Sequence, residues 1–284
     1  MDNLVELERN SAFAAKLDSV KSLLKGKKVV VALSGGRDSA LLSYLSSHYA
    51  KKTRAIFIQS ELAPSIEATQ AETFCNEYSI PFEIIHLSTL SIQMIKQNGA
   101  LRCYYCKQLI LQNLEEIAEN AGFTLVVDGT NYSDLLLIRA GLQALRESRV
   151  ESPFALAQIT KKDIIEISRH LGLISQNYTS QACLASRIPF DIPITEDLLE
   201  SIDQSENFLR SFLPEIHTPI RVRVQQMLPT KQYLARIEGG PELFVLLEQA
   251  EIRAKISHHL KDLGFTYITI DLEGFQSGSM HRML

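Results

Sequence analysis

Two groups of residues in this sequence have types and spacings that can do chemistry. The first is the stretch SGGRDS, residues 34–39, which places two glycines, an acid and two serines directly behind the apolar run VVVAL. Glycines in a turn between a strand and a helix let the backbone approach a ligand closely, and the free amides of the helix start attract anions. The turn therefore predicts a phosphate site. A tight turn with Asp38 as a helix cap is the alternative without a ligand.

The second group consists of cysteines. Cys103 and Cys106 stand in RCYYC, Cys183 stands in QACLASR, and Cys75 falls on a predicted helix. Four cysteines in a chain this large do not resemble a secreted disulfide framework, and in a reducing compartment the CxxC spacing indicates metal or redox chemistry. A CxxC alone leaves zinc, redox and iron-sulfur use open. We expect Cys75 to be a core residue.

The elements that must position these residues alternate between strands and helices. Strand-like runs separated by helical patterns occur at KKVVVALS, TRAIFIQS, FEIIHLST and FTLVVDGT. This alternation predicts an α/β domain with a parallel sheet flanked by helices. Ligands bind such sheets beyond the carboxyl ends of the strands, and here those ends carry SGGRDS, QSE, HLST and DGTN. We expect these ends to face one cleft.

A second domain follows the irregular stretch SQNYTSQACLASRIPFDIP, which is long enough to be a functional loop or a domain junction. We predict an α/β domain over 1–188 and a smaller α+β domain, for substrate binding or oligomerisation, over 189–284. The elements expected in the second domain are a helix over 195–212, the strands IRVRVQQ and YLARIEG, a helix near 241–262 and the strand YITIDLEG.

Composition restricts the class of protein. A chain of 284 residues with 45% hydrophobic and 22% charged residues can bury a substantial core. The net charge of −4 gives no global reason to bind nucleic acid or an anionic membrane, which favours a small substrate. No apolar stretch approaches the roughly 20 residues that span a bilayer, and the start MDNLVELERN is acidic where a secretory signal is basic. We therefore expect a cytoplasmic location.

The turn motif resembles that of a known superfamily. The Walker pattern and GxGxxG are both absent, whereas SGGxDS is the signature of the PP-loop ATP pyrophosphatases, whose fold is adenine nucleotide alpha hydrolase-like. The resemblance implies cleavage of ATP into AMP and pyrophosphate through an adenylated substrate, with Mg²⁺ placed partly by the turn. The ATP-binding residues that it implies are Ser34, Gly35, Gly36, Asp38 and Ser39 at the phosphates and Ser60 and Gly129 at the adenosine. Taken alone, Ser60 and Gly129 fit ordinary turn positions.

Further segments resemble the LarE family, the sulfur transferases that make the nickel-pincer cofactor of lactate racemase. They are RCYYCK, QACLASRIPF, IRVRVQ and DLEGFQSGSM, so that the resemblance covers nearly the whole chain. It implies that a carboxylate of a pyridinium biscarboxylate mononucleotide is adenylated and then converted to a thiocarboxylate. A carboxylate is a poor electrophile, whereas its mixed anhydride with AMP can be captured by a thiolate.

The same resemblance implies a sulfur source. Cys103, Cys106 and Cys183 would bind a four-iron four-sulfur cluster (4Fe-4S) whose open iron carries the sulfide. The alternatives are that Cys183 gives up its own sulfur or carries a persulfide, and that the cysteines are purely structural. Asp38 and Cys183 are the predicted catalytic residues.

Paired arginines predict an anion site in the second domain. Arg221 and Arg223 alternate along a strand and so point to one face, where two guanidinium groups suit bidentate recognition of phosphate or carboxylate. A solvated strand face is the alternative. The resemblance places the pair at a substrate phosphate, and the further residues assigned to the substrate are Lys107, Ser186, Arg187 and Glu206, with Glu238 as part of the same matching sequence context.

Two other functions compete with sulfur transfer to a small nucleotide. Some tRNA-thiolating PP-loop enzymes also carry a three-cysteine cluster, but the basic RNA-binding segments or zinc-binding appendage that they use are not found here. A non-catalytic nucleotide-binding regulator would need the glycine turn but not Asp38, three cysteines and an arginine pair. We expect a small-molecule nucleotide substrate, no nucleic acid or membrane partner, and a homo-oligomer.

Overall fold

The chain forms two compact units. The computed structural model describes residues 2–10, 12–136, 140–173, 181–213, 218–230 and 232–276. The first unit consists of Met1–Ser60, Glu67–Ser88 and Cys103–Ser180, and the second consists of Glu61–Ile66, Thr89–Arg102 and Gln181–Leu284. Within the described residues, no helix has the length and apolar character needed to cross a membrane.

The first unit is built around a parallel sheet, as predicted. Its strands are β1 Lys28–Leu33, β2 Lys52–Gln59, β3 Phe82–His86 and β4 Leu125–Asp128. They lie in the order β3-β2-β1-β4, and Val30 of β1 pairs with Arg54 on one side and Val126 on the other. The central strand β1 is fully buried at Val29, Val30 and Val31, which explains its unbroken apolar run. The α/β prediction is confirmed.

Helices separate these strands along the chain and continue into the second unit. They are α1 Asp2–Asn10, α2 Ala14–Leu24, α3 Arg37–Tyr49, α4 Ser65–Glu77, α5 Gln93–Lys96, α6 Arg102–Asn120, α7 Ala140–Arg146, α8 Pro153–Leu156, α9 Lys161–His170, α10 Glu196–Ser211, α11 Pro241–Leu247 and α12 Ala250–Asp262. Short 3-10 turns cover Asp134–Leu136 and Leu184–Arg187. Gly26, with φ of +75°, follows α2 and allows the sharp turn into β1.

The second unit contains a small mixed sheet. Strands β5 Arg221–Met227 and β6 Gln232–Glu238 are antiparallel, and β7 Phe265–Ile270 pairs in parallel with β6. Val222, Val224, Ala235 and Ile237 of this sheet are buried, and α10 and α12 belong to the same unit. This unit has the predicted α+β composition.

The helices of the structure differ from the sequence prediction in three places. The helix α1 was not predicted, and the helix expected near 241–262 is split into α11 and α12 because Gln249 between them has an extended backbone. The sequence also predicts a helix near 131–149, where the described residues form the 3-10 turn Asp134–Leu136 and α7, and residues 137–139 lie outside the described residues. Here the Asn131 side chain accepts a hydrogen bond from the Asp134 amide, which competes with helix formation.

The second unit begins before the expected boundary at residue 188. Its continuous part starts at Gln181, and it also takes in 61–66 and 89–102. Backbone hydrogen bonds explain this arrangement, since Leu184 donates to Leu62 and Ile194 donates to Lys96. Residues 174–180 of the irregular stretch and 277–280 of DLEGFQSGSM lie outside the described residues.

Candidate functional site

The glycine turn joins the end of β1 to the start of α3. Gly35 has φ of +71°, a conformation that disfavours other residues, and a Cβ at this position would lie 2.8 Å from the Glu67 carbonyl oxygen. The Ser39 hydroxyl accepts a hydrogen bond from the Ser34 amide and donates to the Gly36 carbonyl, both at 3.0 Å. Two residues of the motif therefore shape the turn itself. Gly35 allows its left-handed backbone conformation, and the Ser39 hydroxyl stabilises it through two hydrogen bonds.

Gly129 brings the end of β4 against the first turn of α3. A Cβ on Gly129 would lie 2.8 Å from the Ser39 backbone nitrogen, so any larger residue would push the two elements apart. This close approach is a packing reason for the glycine. The adenosine contact predicted for Gly129 stays a prediction.

A cavity of about 560 Å³ opens beside the turn, within the size range of small-molecule sites. Its lining includes most of the predicted ATP residues together with charged residues from later elements: Ser34, Gly36, Arg37, Asp38, Ser39, Lys107, Asp128, Gly129, Thr130, Asp134 and Lys161. Ser60 is buried at the end of β2 and is not part of this lining. The cavity thus combines backbone near a helix start with two lysines, as a polyphosphate requires.

Asp38 contacts Asn131, from the DGTN stretch expected to face the same cleft, and Lys161, which the sequence did not single out. The Asn131 side-chain amide donates to its carboxylate at 2.8 Å, and the Lys161 ammonium forms an ion pair with it. Lys161 is the first residue of α9, whose start is fixed by a capping box between Thr160 and Asp163. The cap can be recognised in TKKD, but the pairing with Asp38 depends on the fold.

Lys107 pairs with Asp128 in the same cavity. Its Nζ lies 3.0 Å from Asp128 Oδ2, while Ser152 and Thr130 hydroxyls donate to this carboxylate at 2.7 and 2.8 Å. Burial opposes ionisation of Asp128, but the Lys107 charge and these hydrogen bonds outweigh it and lower its pKa. Lys107 therefore carries positive charge into the cavity of the first unit. Its predicted role toward the substrate is untested.

The cysteines divide between the two units. Cys75 is fully buried on α4, as predicted, and burial raises its pKa to about 12. Cys103 is exposed and Cys106 half-buried near the start of α6, whereas Cys183 is half-buried in the second unit, next to the 3-10 turn Leu184–Arg187. In the described part of the chain, no group of three or more His, Cys, Asp or Glu side chains is suited to hold a metal ion. The predicted four-iron cluster on Cys103, Cys106 and Cys183 stays a prediction.

The second unit contains a buried network of arginines and glutamates, here called the arginine network. Arg187 and Glu206 form a bidentate pair, with Nε to Oε1 and Nη2 to Oε2 both at 2.8 Å and both side chains fully buried. Arg223 Nε donates to Glu238 at 3.0 Å, while Arg221 comes no closer than 4.0 Å to Glu206. These five residues define the network.

Burial excludes the alternative of a solvated strand face. Arg221 is 3% exposed and Arg223 is 5% exposed, and the intervening Val222 is fully buried. Over these residues β5 is buried on both faces. The alternation of arginine and valine along the strand therefore did not predict that the arginine side chains are buried. The arginines are held inside the second unit.

The arginine network carries an excess of positive charge. It has three buried guanidinium groups and two buried carboxylates. Burial by itself raises the pKa of Glu206, but Arg187 and the other arginines lower it, so this carboxyl is ionised. Burial and the nearby Arg187 lower the pKa of Arg221 to about 9, as expected for a cation that lacks a close carboxylate. An anion beside Arg221 would relieve this imbalance.

Comparison with known proteins gives matches over most of the chain. A model of the PP-loop domain matches residues 9–177. An uncharacterised protein of Methanocaldococcus jannaschii is 34% identical over 92% of this chain and 95% of its own length. The pyridinium-3,5-bisthiocarboxylic acid mononucleotide synthase of Lactiplantibacillus plantarum is 30% identical over 96% of both chains. The tRNA-cytidine(32) 2-sulfurtransferase of Bdellovibrio bacteriovorus is 26% identical over 42% of this chain and 48% of its own.

Proposed function

Because the chain belongs to the PP-loop family and, within it, to the LarE family of ATP-dependent sulfurtransferases, we propose that it adenylates a carboxylate of a pyridinium biscarboxylate mononucleotide and converts it to a thiocarboxylate. The observation that carries the proposal is the cavity of about 560 Å³ beside the glycine turn, which is lined by the turn, the Asp38 carboxylate, Lys107 and Lys161. That set suits a magnesium-bound polyphosphate.

In the first step, ATP binds with its phosphates at the glycine turn. A carboxylate oxygen of the substrate attacks the α-phosphorus, the bond to the bridging oxygen breaks, and pyrophosphate leaves with two electrons of that bond. Negative charge grows on the departing pyrophosphate, and we assign its stabilisation to Lys161, which lies beside Asp38, and to the amides at the start of α3.

Asp38 is the residue suited to hold Mg²⁺. Its carboxylate is paired with Lys161 and Asn131, so a bound magnesium ion would take the place of one of these partners. Mg²⁺ is coordinated by carboxylate and phosphate oxygens and neutralises the charge of the polyphosphate. Lys161, once released from Asp38, is then available to the phosphates.

In the second unit, the excess charge of the arginine network supports a site for the substrate phosphate. Among the described residues, Arg221 donates hydrogen bonds from Nη1, and Arg223 donates them from Nε and Nη1. Both guanidinium groups therefore keep donors for an anion. We assign them to the phosphate of the mononucleotide.

Sulfur transfer then uses Cys183. Its thiolate attacks the carbonyl carbon of the acyl adenylate, AMP leaves, and a thioester joins the substrate to the enzyme. Removal of the Cα proton of Cys183 and cleavage of its Cβ–S bond would release the thiocarboxylate and leave dehydroalanine. This step needs no oxidant or reductant. Delivery of sulfide from a cluster bound by Cys103, Cys106 and Cys183 is the alternative route, and it would leave Cys183 unchanged.

The sulfur source is tested by mass spectrometry after anaerobic incubation with ATP, Mg²⁺ and the biscarboxylate mononucleotide. We expect thiocarboxylate in the product and a loss of about 34 Da at Cys183. Stoichiometric iron in the anaerobic preparation, with product formed and Cys183 unchanged in mass, would instead establish the cluster route. Cys103→Ser serves as a control, since it leaves Cys183 intact.

Thiolation of tRNA is the competing function within the same family. The match to a tRNA sulfurtransferase covers less than half of the chain, so it reflects shared PP-loop chemistry and does not identify the acceptor. Sulfur recovered in RNA, with no reaction of the mononucleotide, would favour that function. The homo-oligomer and the cytoplasmic location stay predictions.

A further inference from the structure

The guanidinium group of Arg187 is fully occupied by contacts within its own unit. Nε and Nη2 donate to Glu206, and Nη2 also donates to the Gln181 carbonyl at 2.9 Å. Nη1 donates to the carbonyls of Ala182 and Cys183 at 2.7 and 3.0 Å and to the Ser186 hydroxyl at 3.0 Å. A guanidinium group has five N–H donors, so six acceptors exhaust it.

Three of these acceptors are the carbonyl groups of consecutive residues, Gln181, Ala182 and Cys183. The backbone of this segment therefore curves around one buried cation. Ala182 has φ of +51°, a left-handed conformation that is unfavourable for a residue with a Cβ. Such a conformation persists only when its surroundings hold it, and the contacts from Arg187 to the carbonyls on either side of Ala182 Cα provide that hold.

A phosphate could bind Arg187 only by displacing one of these partners. The side chain is fully buried, and its direct counter-ion, Glu206, accepts two further hydrogen bonds, from Arg210 and from the Val222 amide. Removing any of them would leave a buried polar group without its partner. Arg221 and Arg223 differ in this respect, because they retain donors toward an added anion.

We propose that Arg187 is a positioning residue that fixes the backbone on either side of Cys183, and that it does not bind the substrate phosphate. The proposal rests on the proposed function for the statement that Cys183 reacts. It assigns different roles to arginines that the sequence placed together: Arg221 and Arg223 face the anion, and Arg187 holds the reacting cysteine in its geometry.

The reactivity of the cysteines tests this without substrate. Iodoacetamide is added to native protein, and the alkylation rate of each cysteine is followed by peptide mass spectrometry. Arg187→Lys keeps the charge but cannot reach three carbonyls and Glu206 together, so we expect Cys183 to react at least fivefold faster relative to Cys103. The exposed Cys103 is the internal reference, and the buried Cys75 reports unfolding.

A matched control and a second variant make the result decisive. Arg236→Gln removes an arginine that is paired with Glu238 and Asp271, and so should leave the ratio of Cys183 to Cys103 rates unchanged. If Arg187→Lys exposes Cys75, the double variant Arg187→Gln/Glu206→Gln is used, since it removes both charges of the pair and so leaves no buried charge of that pair without its counter-ion.

An unchanged Cys183 to Cys103 ratio in a folded Arg187 variant would overturn the proposal. A rise of fivefold or more with Cys75 still protected would support it, and the same variant should then lower the single-turnover rate of sulfur transfer at saturating mononucleotide, while the concentration that gives half of this rate stays within twofold. Failure of the proposed function is a separate outcome, since it would appear as absent AMP formation in the unmodified enzyme and would not alter alkylation rates.

Discussion

At the scale of single residues, the pairing of Asp38 with Lys161 brings a lysine from α9 to the cavity beside the glycine turn. Lys161→Gln should weaken ATP binding about tenfold, because a charge-assisted hydrogen bond to phosphate contributes roughly 1.5 to 3 kcal/mol. Calorimetric titration with ATP and Mg²⁺ measures the change. Lys162→Gln is the matched control on the same helix, since Lys162 is exposed and does not line the cavity. Equal losses in both variants would remove Lys161 from the site.

Sequence alone identified the residues of the turn but not the residues that reach it from elsewhere. Ser34, Asp38 and Ser39 lie in one short motif, so their proximity follows from the chain itself. Asn131 and Lys161 reach Asp38 from distant segments, and their contacts appear only when β4 and α9 are placed around β1. The capping box of α9 located the helix start without identifying its partner.

At the scale of elements, the two arginines of β5 differ in how closely they are paired with a carboxylate. Arg221 comes no closer than 4.0 Å to Glu206, whereas Arg223 forms a close pair with the buried Glu238. Arg221→Gln should therefore lower affinity for the mononucleotide at least tenfold with a small change in stability. Arg223→Ala should also destabilise the protein, because it leaves Glu238 buried with less compensation.

Binding titration and urea unfolding of both variants distinguish these effects. Exposed Arg253→Gln on α12 is the control for loss of one positive charge. Unchanged affinity in Arg221→Gln would show that the arginine network is structural throughout.

Glu206, which α10 contributes to the arginine network, makes the free energy of unfolding depend on pH. The arginines hold the pKa of Glu206 below its ordinary value of 4.5 despite burial. The stability contributed by its ionised form is therefore complete above about pH 4.5 and is lost as the pH falls through the lower folded-state pKa. Glu206→Gln should cost about 3 to 5 kcal/mol at pH 7, because Arg187 loses its counter-ion, and should reduce the loss of stability on acidification.

Urea unfolding between pH 3 and pH 7 measures this dependence. Glu200→Gln on the same helix is the control, since Glu200 is exposed. Parallel stability profiles for Glu206→Gln and the unmodified protein would contradict the assignment.

Periodicity predicted most elements but not their burial. The alternation of strands and helices gave the parallel sheet, because each buried strand forms an apolar run between turn residues. The arginines of β5 were consistent with a solvated face or a binding face, and only the packing of the second unit showed that they are buried. Ion pairs formed by residues far apart in sequence leave no periodic signal.

At the scale of the whole molecule, our proposal assigns different chemistry to the two units. The first unit contains the glycine turn, Asp38 and the two lysines, which we assign to ATP. The second contains Cys183 and the arginine network, which in our proposal concern sulfur and the acceptor. The central claim is that the carboxylate of the acceptor is activated by AMP before sulfur is transferred.

Isotope transfer tests this claim most directly. The mononucleotide is prepared with ¹⁸O in its carboxylates, incubated with ATP and Mg²⁺ in unlabelled water, and the nucleotide products are analysed by mass spectrometry. When the thiolate displaces AMP, one carboxylate oxygen remains on the phosphate, so the account predicts a single ¹⁸O atom in AMP, with unlabelled pyrophosphate in equal amount. Formation of ADP with ¹⁸O in inorganic phosphate, or of AMP without label, would contradict it.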